Sequence, residues 1–449
     1  MKIIHVKPSI AVIGSGLAGG VLTLGLSRFA NVTLIERGRR ACAPVPPNCT
    51  GHPLGLHQTF AYGLGGSTNL WRGCLLSMRP DEFGTEWPGQ IREQLPTFSK
   101  QVVQHLYGTA VSQEWEIRER AITHNQDVLD SLFAPKRPSR IAQLNGLRSA
   151  KVRLDSLVEH IRETSDGVEL TVCANGLSST LEFDYVVIAA GSINSPLVLK
   201  KSGLGGAQVG LNLTDHPMGM VGKVTRGRPF GSYDAMAAKG PWKKVAKFRD
   251  DQTGLWTSFQ LCPAHDLLFE RDEYLAASRQ KNLSILSFAR WKKLRASEYR
   301  TMIGRKILGS PELGSFAFVL AMTEQESRGQ GMISELIADE VRLDWQVSGP
   351  ACDAVRRSLL QFEQWLECDV LPAPGEIRNT LSSGAHHAGT CRISADACSG
   401  VVDEDQRVHG ASRVFVCDGS VLPSTGASNP GLTIGSLALR LAAHLERSG

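Results

Sequence analysis

Apolar residues recur along this chain in two rhythms, and each predicts a different kind of element. Unbroken runs at Ile10 to Ile13, Val32 to Ile35, Tyr185 to Ala190 and Val414 to Cys417 have the length of strands buried on both faces, as in a parallel sheet. Leu17 to Arg28 reads as a helix with Val21, Leu22, Leu24 and Leu26 available for packing, and Leu432 to Leu445 as a second, strongly apolar helix. Alternating positions at Lys151 to Leu154 and Val168 to Cys173 predict a small sheet, with Asn175-Gly176 as a hairpin turn before Thr180 to Phe183. From about Asp215 to Ser382 the character changes. Strand-like runs at Met220 to Thr225, Leu255 to Leu261, Ser315 to Met322 and Val341 to Val347 are interspersed with basic or helical stretches, the profile of a sheet facing a substrate. The fold class expected is α/β, a parallel sheet in βαβ style plus a second region built on an antiparallel sheet with flanking helices.

Glycines stand where the buried runs end. Gly14-Ser15-Gly16-Leu17-Ala18-Gly19 follows the first run at once and opens the first helix. Gly14 permits a sharp turn, Gly16 removes a Cβ where a pyrophosphate would approach, and Gly19 lets helix and strand pack closely, so the helix start offers its free N–H groups to phosphate. The second run ends at Glu36, an offset of 36 − 14 = 22 residues, close to the ~20 expected of an acid that binds a ribose hydroxyl. The same glycines would also serve a strand-to-helix turn that holds no ligand. Gly63 to Gly73 concentrates small residues around Trp71, allowing close approach to a planar ligand with the indole as a wall; a surface loop is the plainer reading. Gly191-Ser192-Ile193-Asn194-Ser195-Pro196, after the Tyr185 to Ala190 run, is another strand-to-loop junction of the ligand-binding kind.

Composition removes several function classes. A chain of 449 residues exceeds one ordinary core, so two or three domains are expected. A net charge of +5 without a long basic run argues against nucleic acid, and Arg290 to Arg300 reads as a solvated face. Met1 leads into the first strand within about ten residues, which leaves no room for a signal peptide, and no apolar stretch reaches the ~20 residues of a membrane span; a cytoplasmic protein is expected. The ten cysteines (42, 49, 74, 173, 262, 352, 368, 391, 398 and 417) show no paired C-x-x-C arrangement, so reduced thiols are expected and no metal site.

Candidate acid/base chemistry lies in the final seventy residues. His386-His387-Ala388-Gly389-Thr390-Cys391 precedes a strand that ends at Asp418-Gly419-Ser420, and Asn429-Pro430 stands at the predicted start of the last helix. Pro430 suits a first-turn position and Asn429 is a good N-cap, which would account for it without any catalytic part. A helix start also offers partial positive charge to a group that gains negative charge during reaction.

Taken together, these blocks resemble the glucose–methanol–choline oxidoreductase family over most of the chain. The matching stretches are the first glycine motif with Glu36, Gly65 to Gly73, Gly191 to Gly203, Gly210 to Pro217, and His386 to Leu445; Glu324 to Arg328 and Asp344-Trp345 match more loosely. The resemblance implies an FAD-binding domain formed by residues 1–215 and 385–449 and a substrate domain at 216–384, with part of 75–145 contributing. It implies oxidation of an alcohol or sugar CH–OH group, with electrons passing to O2 or another acceptor; a lyase that keeps FAD as structure is the alternative. By the same resemblance His386 is the base, titrating near neutrality, with His387 its nearest competitor and Asn429 its partner. The cofactor would meet Gly14, Gly16, Leu17, Ala18, Gly19, Glu36 and Arg37 from the first motif, and Gly65, Gly66, Ser67, Asn69, Leu70 and Trp71 from the second. Val152, Ala190, Gly191, Asp418, Gly419, Asn429, Pro430 and Leu432 complete that set. Asp215 and His216 would pack under the pyrophosphate or between domains. Leu70 stands where some relatives carry the histidine that links FAD covalently, so FAD is expected to be non-covalent, and Trp71 stands where many carry Asn. The chain is shorter than most members, implying trimmed lid or interface loops and a larger substrate or a protein electron acceptor.

Overall fold

The computed structural model describes residues 7–40, 43–44, 49–50, 61–71, 73–122, 128–133, 145–227, 231–236, 242–263, 316–326, 331–335 and 341–448. Arg72, Ser315, residues 327–328 and the Arg290 to Arg300 stretch lie outside them.

The four buried runs form one parallel sheet. In spatial order its strands are Val414–Val416, Tyr185–Ile188, Ser9–Ile13, Asn31–Ile35 and Lys151–Arg153. Every pairing is parallel. The absence of a polar face follows from what covers each side. Ile10 and Val12 face one core with Val21, Leu22 and Leu26 of the helix Leu17–Leu26 and with Leu439 and Leu441 of the helix Gly431–Ser448. Ala11 and Ile13 face a second core with Val158, Ile161, Leu170 and Val172 of the small antiparallel sheet. A strand sandwiched in this way has no solvent position to fill with a charge. The two helices touch closely: a Cβ on Gly25 would lie 2.7 Å from that of Ala442.

The small sheet consists of Ser156–Glu163, Val168–Ala174 and Leu177–Phe183, whereas Lys151–Arg153, expected in it, pairs parallel with Asn31–Ile35 instead. Its expected turn is present: Asn175 and Gly176 both have positive φ, +53° and +76°, as a two-residue hairpin of the primed type requires.

The third layer is an eight-stranded antiparallel sheet. It runs Val370–Pro372, Pro217–Thr225, Phe316–Thr323, Trp256–Pro263, Trp242–Arg249, Val128–Phe133 and Cys74–Leu75, with Ser382–Ser383 pairing beside Pro217–Thr225. The helix Gly349–Leu366 lies on it, capped by the Ser348 hydroxyl, which accepts from Ala351 N at 3.2 Å. Its Val355, Leu359 and Phe362 bury against Ala246, Phe259 and Val319 of the sheet. The predicted strand at Val341 to Val347 exists as Val341–Trp345 but leaves this sheet and pairs with Gly331–Glu335 instead. Its alternation explains the placement: Val341, Leu343 and Trp345 face the core while Arg342 and Asp344 are exposed, the pattern of an outer strand with one solvated face.

No helix among the described residues is long and apolar enough to cross a membrane.

Candidate active site

Both glycine loops and the start of the last helix converge. At Gly14, with φ +101°, a Cβ would lie 2.4 Å from the Ala189 carbonyl oxygen, and at Gly19 one would lie 1.9 Å from that of Gly14, so strand and helix pack here only without side chains. Gly16 differs, because a Cβ there would meet only the Thr68 hydroxyl at 4.0 Å. Gly16 is the N-cap of the helix Leu17–Leu26 and no side chain caps it, so the first-turn N–H groups have no side-chain acceptor from the cap and could serve a phosphate. Gly66 of the second loop comes within 3.3 Å of Gly16 Cα by the same construction. A Cβ on Gly431 would strike Trp71 at 2.8 Å and approach Leu17 at 3.4 Å, so the indole and the first-helix start both border the last helix.

Glu36 is held by four protein donors. Its Oε2 accepts from Ser15 N at 3.1 Å and Ser15 Oγ at 2.6 Å, and its Oε1 from Gly38 N at 2.9 Å and Gly63 N at 3.1 Å. Since Ser15 Oγ also accepts from Gly65 N at 3.1 Å, this carboxylate pins the two glycine loops together. Neighbouring Arg37 lays its guanidinium over Tyr62 at 4.0 Å. In the second loop Asn69 Nδ2 donates to the Leu64 and Gly66 carbonyls, each at 3.0 Å, and Leu70 ends the short helical turn Gly66–Asn69. Val152 lies in the edge strand of the parallel sheet.

At the other junction Asp418 Oδ2 accepts from Gly191 N at 2.9 Å and Ser195 Oγ at 2.5 Å, and its Oδ1 from Ser420 N at 2.8 Å. These bonds tie the end of the Val414–Val416 strand to the helix that begins at Gly191, following Ala190. A Cβ on Gly419 would lie 2.9 Å from both the His387 carbonyl oxygen and Ser192 Oγ, which brings the histidine segment against the same junction.

His386 stands at the centre of a row of side chains. Its Nε2 lies 3.3 Å from Asn429 Nδ2, and its Nδ1 lies 2.9 Å from Nδ1 of His216. The two imidazoles meet edge to face at 89°, and His216 Nε2 lies 2.6 Å from the Gly426 carbonyl oxygen. Asp215 is the anchor of the segment. Its carboxylate accepts from the backbone N–H of His216 at 2.7 Å and of His386 at 2.8 Å, and from Ser383 Oγ at 2.5 Å. Asp215 and His216 thus stand beside His386, with the two imidazoles in contact across 170 residues of chain. His387 points elsewhere, with Nδ1 3.7 Å from Asp215 Oδ2. Ala385 holds φ at +62°, a left-handed turn that a β-carbon disfavours, as the chain delivers His386.

Asn429 does not cap the helix. The helix starts at Gly431, and the Asn429 amide is turned toward His386, leaving its Oδ1 buried without a hydrogen-bond partner among the described residues. The amide Nδ2 beside the imidazole nitrogen is a donor that a substrate hydroxyl oxygen could accept from.

Electrostatics correct the expected titration of His386. Burial, reinforced by the neighbouring His216 and His387 rings and only partly opposed by Asp215, pushes its pKa down to about 3, so the ring is neutral with one lone pair at neutral pH. Burial lowers His216 as well, partly offset by the Gly426 carbonyl. For Asp215, burial would raise the pKa, but His387, the Ser383 hydroxyl and the His386 N–H outweigh it and hold the carboxyl below its usual range.

Beneath this row lies a charged group that no sequence pattern announced. Lys247 of the antiparallel sheet is buried, with Nζ 2.6 Å from Glu82 Oε2 and 3.1 Å from the Ser77 carbonyl. It also donates to Ser428 Oγ. Glu82 Oε1 accepts from Ala427 N at 2.8 Å, and a Cβ on Gly426 would lie 2.8 Å from that same oxygen. Glu82 and Lys247 thereby support the loop that carries the Gly426 carbonyl and Asn429.

Two models, each described as GMC oxidoreductase, match residues 142–218 and 348–438, the first reaching into Asp215-His216 and the second spanning His386 to Asn429. Pyridoxine 4-oxidase of Microbacterium luteolum is 22% identical over 284 residues, 56% of this chain and 49% of that protein. The 6'''-hydroxyparomomycin C oxidase of Streptomyces lividus is 46% identical over 65 residues, 14% of this chain and 12% of that one. The chain thus aligns with half or less of the length of these curated relatives. Among solved structures, pyridoxine 4-oxidase from Mesorbium loti superposes with a TM-score of 0.62 at 18% identity, covering 98% of this chain and 99% of that one. Aspergillus oryzae RIB40 formate oxidase superposes with a TM-score of 0.63 at 14% identity, covering 99% of each. At such identities the likeness speaks for the fold, which is that of the flavin-binding α/β enzymes.

Proposed function

The chain belongs to the GMC oxidoreductase family, and from that premise we propose that it is an FAD-dependent oxidoreductase that removes a proton and a hydride from a CH–OH group. The observation that carries the reading is the pair formed by His386 Nε2 and the Asn429 amide, 3.3 Å apart, two residues before a helix whose first glycine lies against both Trp71 and Leu17. FAD would be held, without a covalent link, by the uncapped helix start after Gly16, by the second glycine loop with Trp71, and by the Gly191 and Asp418 junction. When bound, it supplies N5 as the acceptor for hydride and passes the electrons to O2 or another acceptor.

The protein's own contribution is to handle the hydroxyl. A substrate oxygen between the two side chains accepts from Asn429 Nδ2 while its proton points at the His386 Nε2 lone pair. As hydride leaves carbon, Nε2 takes that proton, and the imidazolium formed lies near the ionised Asp215 carboxylate, which favours the charge. Neutrality of the free ring keeps Nε2 ready to accept. On the same reading, residues 1–215 and 385–449 make the cofactor domain and 216–384 line the substrate side.

A screen decides the matter. FAD-loaded protein is mixed anaerobically with primary alcohols, sugars and hydroxymethyl-substituted heteroaromatics, and the oxidised flavin band is followed. Bleaching by one of these, lowered about 10²- to 10⁴-fold in rate by His386→Ala with the flavin retained, is the expected outcome. Failure of every CH–OH donor to bleach the band, or an unimpaired His386→Ala, rules the proposal out.

A further inference from the structure

His216 has no part in the reaction just described, yet its position constrains it. One group in the row has a hydrogen-bonding sense that cannot change. The Gly426 carbonyl oxygen is only an acceptor, so at 2.6 Å the facing His216 Nε2 must carry a hydrogen. His216 is 0% exposed and burial keeps it neutral, so its Nδ1 is left as a lone pair. That lone pair faces His386 Nδ1 at 2.9 Å, which must then be the N–H. A neutral imidazole carries one hydrogen, and His386 Nε2 is therefore the bare nitrogen. Asn429 agrees in sense, because a bare nitrogen wants a donor and the amide turns Nδ2 toward it at 3.3 Å.

The fixed carbonyl is itself reinforced. The N–H of the same Gly426–Ala427 peptide donates to Glu82 Oε1 at 2.8 Å, and Glu82 is paired with buried Lys247 at 2.6 Å. A carboxylate at one end of an amide enriches the oxygen at the other, which strengthens the bond from His216.

We propose that His216 is a positioning residue that fixes His386 in its Nδ1–H tautomer through a row running from Glu82 across the Gly426–Ala427 peptide. The chemical use of this row rests on the oxidoreductase reading above; the tautomer itself does not. The row delivers no proton onward. When Nε2 takes the hydroxyl proton, Nδ1 keeps its own and donates more strongly to His216.

The test reads nitrogen protonation directly. In FAD-loaded protein labelled with 15N-histidine, His386 is assigned by its loss in His386→Asn. The expected spectrum has its proton on Nδ1, with a coupling across the hydrogen bond to His216 Nδ1. His216→Leu removes the acceptor, so the His386 proton should move wholly or partly to Nε2, and the rate of flavin bleaching by substrate should fall about 10²-fold or more. His216→Asn, whose side-chain oxygen falls near the lost Nδ1, should restore both. A proton on Nε2 in the unmodified protein, no coupling between the two rings, or an unchanged tautomer in His216→Leu overturns the proposal. Should neither variant fold, the unmodified spectrum still decides. Should no alcohol be oxidised, the tautomer result stands by itself and only the oxidoreductase reading falls.

Discussion

Glu324 accepts hydrogen bonds from the Trp256 and Gly426 backbone N–H groups at the edge of the buried charges, and desolvation together with the Glu82 carboxylate raises its pKa from 4.5 to about 8. Between those two values the native protein holds a proton that the unfolded chain has released, so stability falls as pH rises through this window. His386 acts in the opposite sense: from 6.5 down to about 3 the unfolded chain binds a proton that the native ring refuses, so stability falls as pH drops. The two slopes oppose each other between 4.5 and 6.5, and between 6.5 and 8 His386 no longer opposes Glu324. Thermal melts across that interval should show a declining Tm, and Glu324→Gln should flatten it; an equal decline in the variant would place the cause elsewhere. Leu70 makes a simpler prediction: denaturation should release all FAD into a protein-free filtrate. Single residues were unevenly legible. The family resemblance of the His386 to Gly389 run and of the Asn429-Pro430 pair pointed to the two side chains that meet at 3.3 Å, whereas Asp215 and His216 read as structural because their partners lie far along the chain. Lys247 could not be read at all, since a lysine in a strand looks exposed until its neighbours are known.

At the scale of elements, periodicity located most of the strands because burial on both faces leaves runs such as Ile10 to Ile13 without polar positions. It erred where an element's role depends on its partner. Asn429 has every local quality of a cap, but its amide is committed to His386, and the helix begins two residues later. Val341–Trp345 has the right alternation and a different sheet. Packing between elements supplies its own test. Gly25 in the first helix would favour Ala by about 1 kcal/mol on helix propensity alone. A Cβ there would press on Ala442 at 2.7 Å, so Gly25→Ala should destabilise the protein by about 1–2 kcal/mol in denaturant titration. Gly25→Ala with Ala442→Gly should recover most of that loss, and a double variant no better than the single one would refute the contact.

For the molecule as a whole, the Lys247–Glu82 pair joins the antiparallel sheet to the turn that precedes the site, with both side chains 0% exposed. Lys247→Met should lower stability by about 3–5 kcal/mol, since it strands a buried carboxylate. Adding Glu82→Gln should return part of it, and a double variant as unstable as the single would show that charge is not the issue. The overall architecture was legible because the Gly14 and Gly191 motifs each follow a strand of the parallel sheet; how the antiparallel sheet is ordered was not, for that depends on side chains far apart in sequence. The parallel sheet also imposes a schedule on biosynthesis. Its edge strand, Val414–Val416, is translated 414 − 188 = 226 residues after the neighbour it pairs with, Tyr185–Ile188. Until the ribosome has delivered that strand and the helix behind it, the nascent chain carries an open sheet edge and uncovered leucines. Chaperone protection should therefore matter most during this interval, and premature termination anywhere within it should yield aggregates instead of a smaller working enzyme.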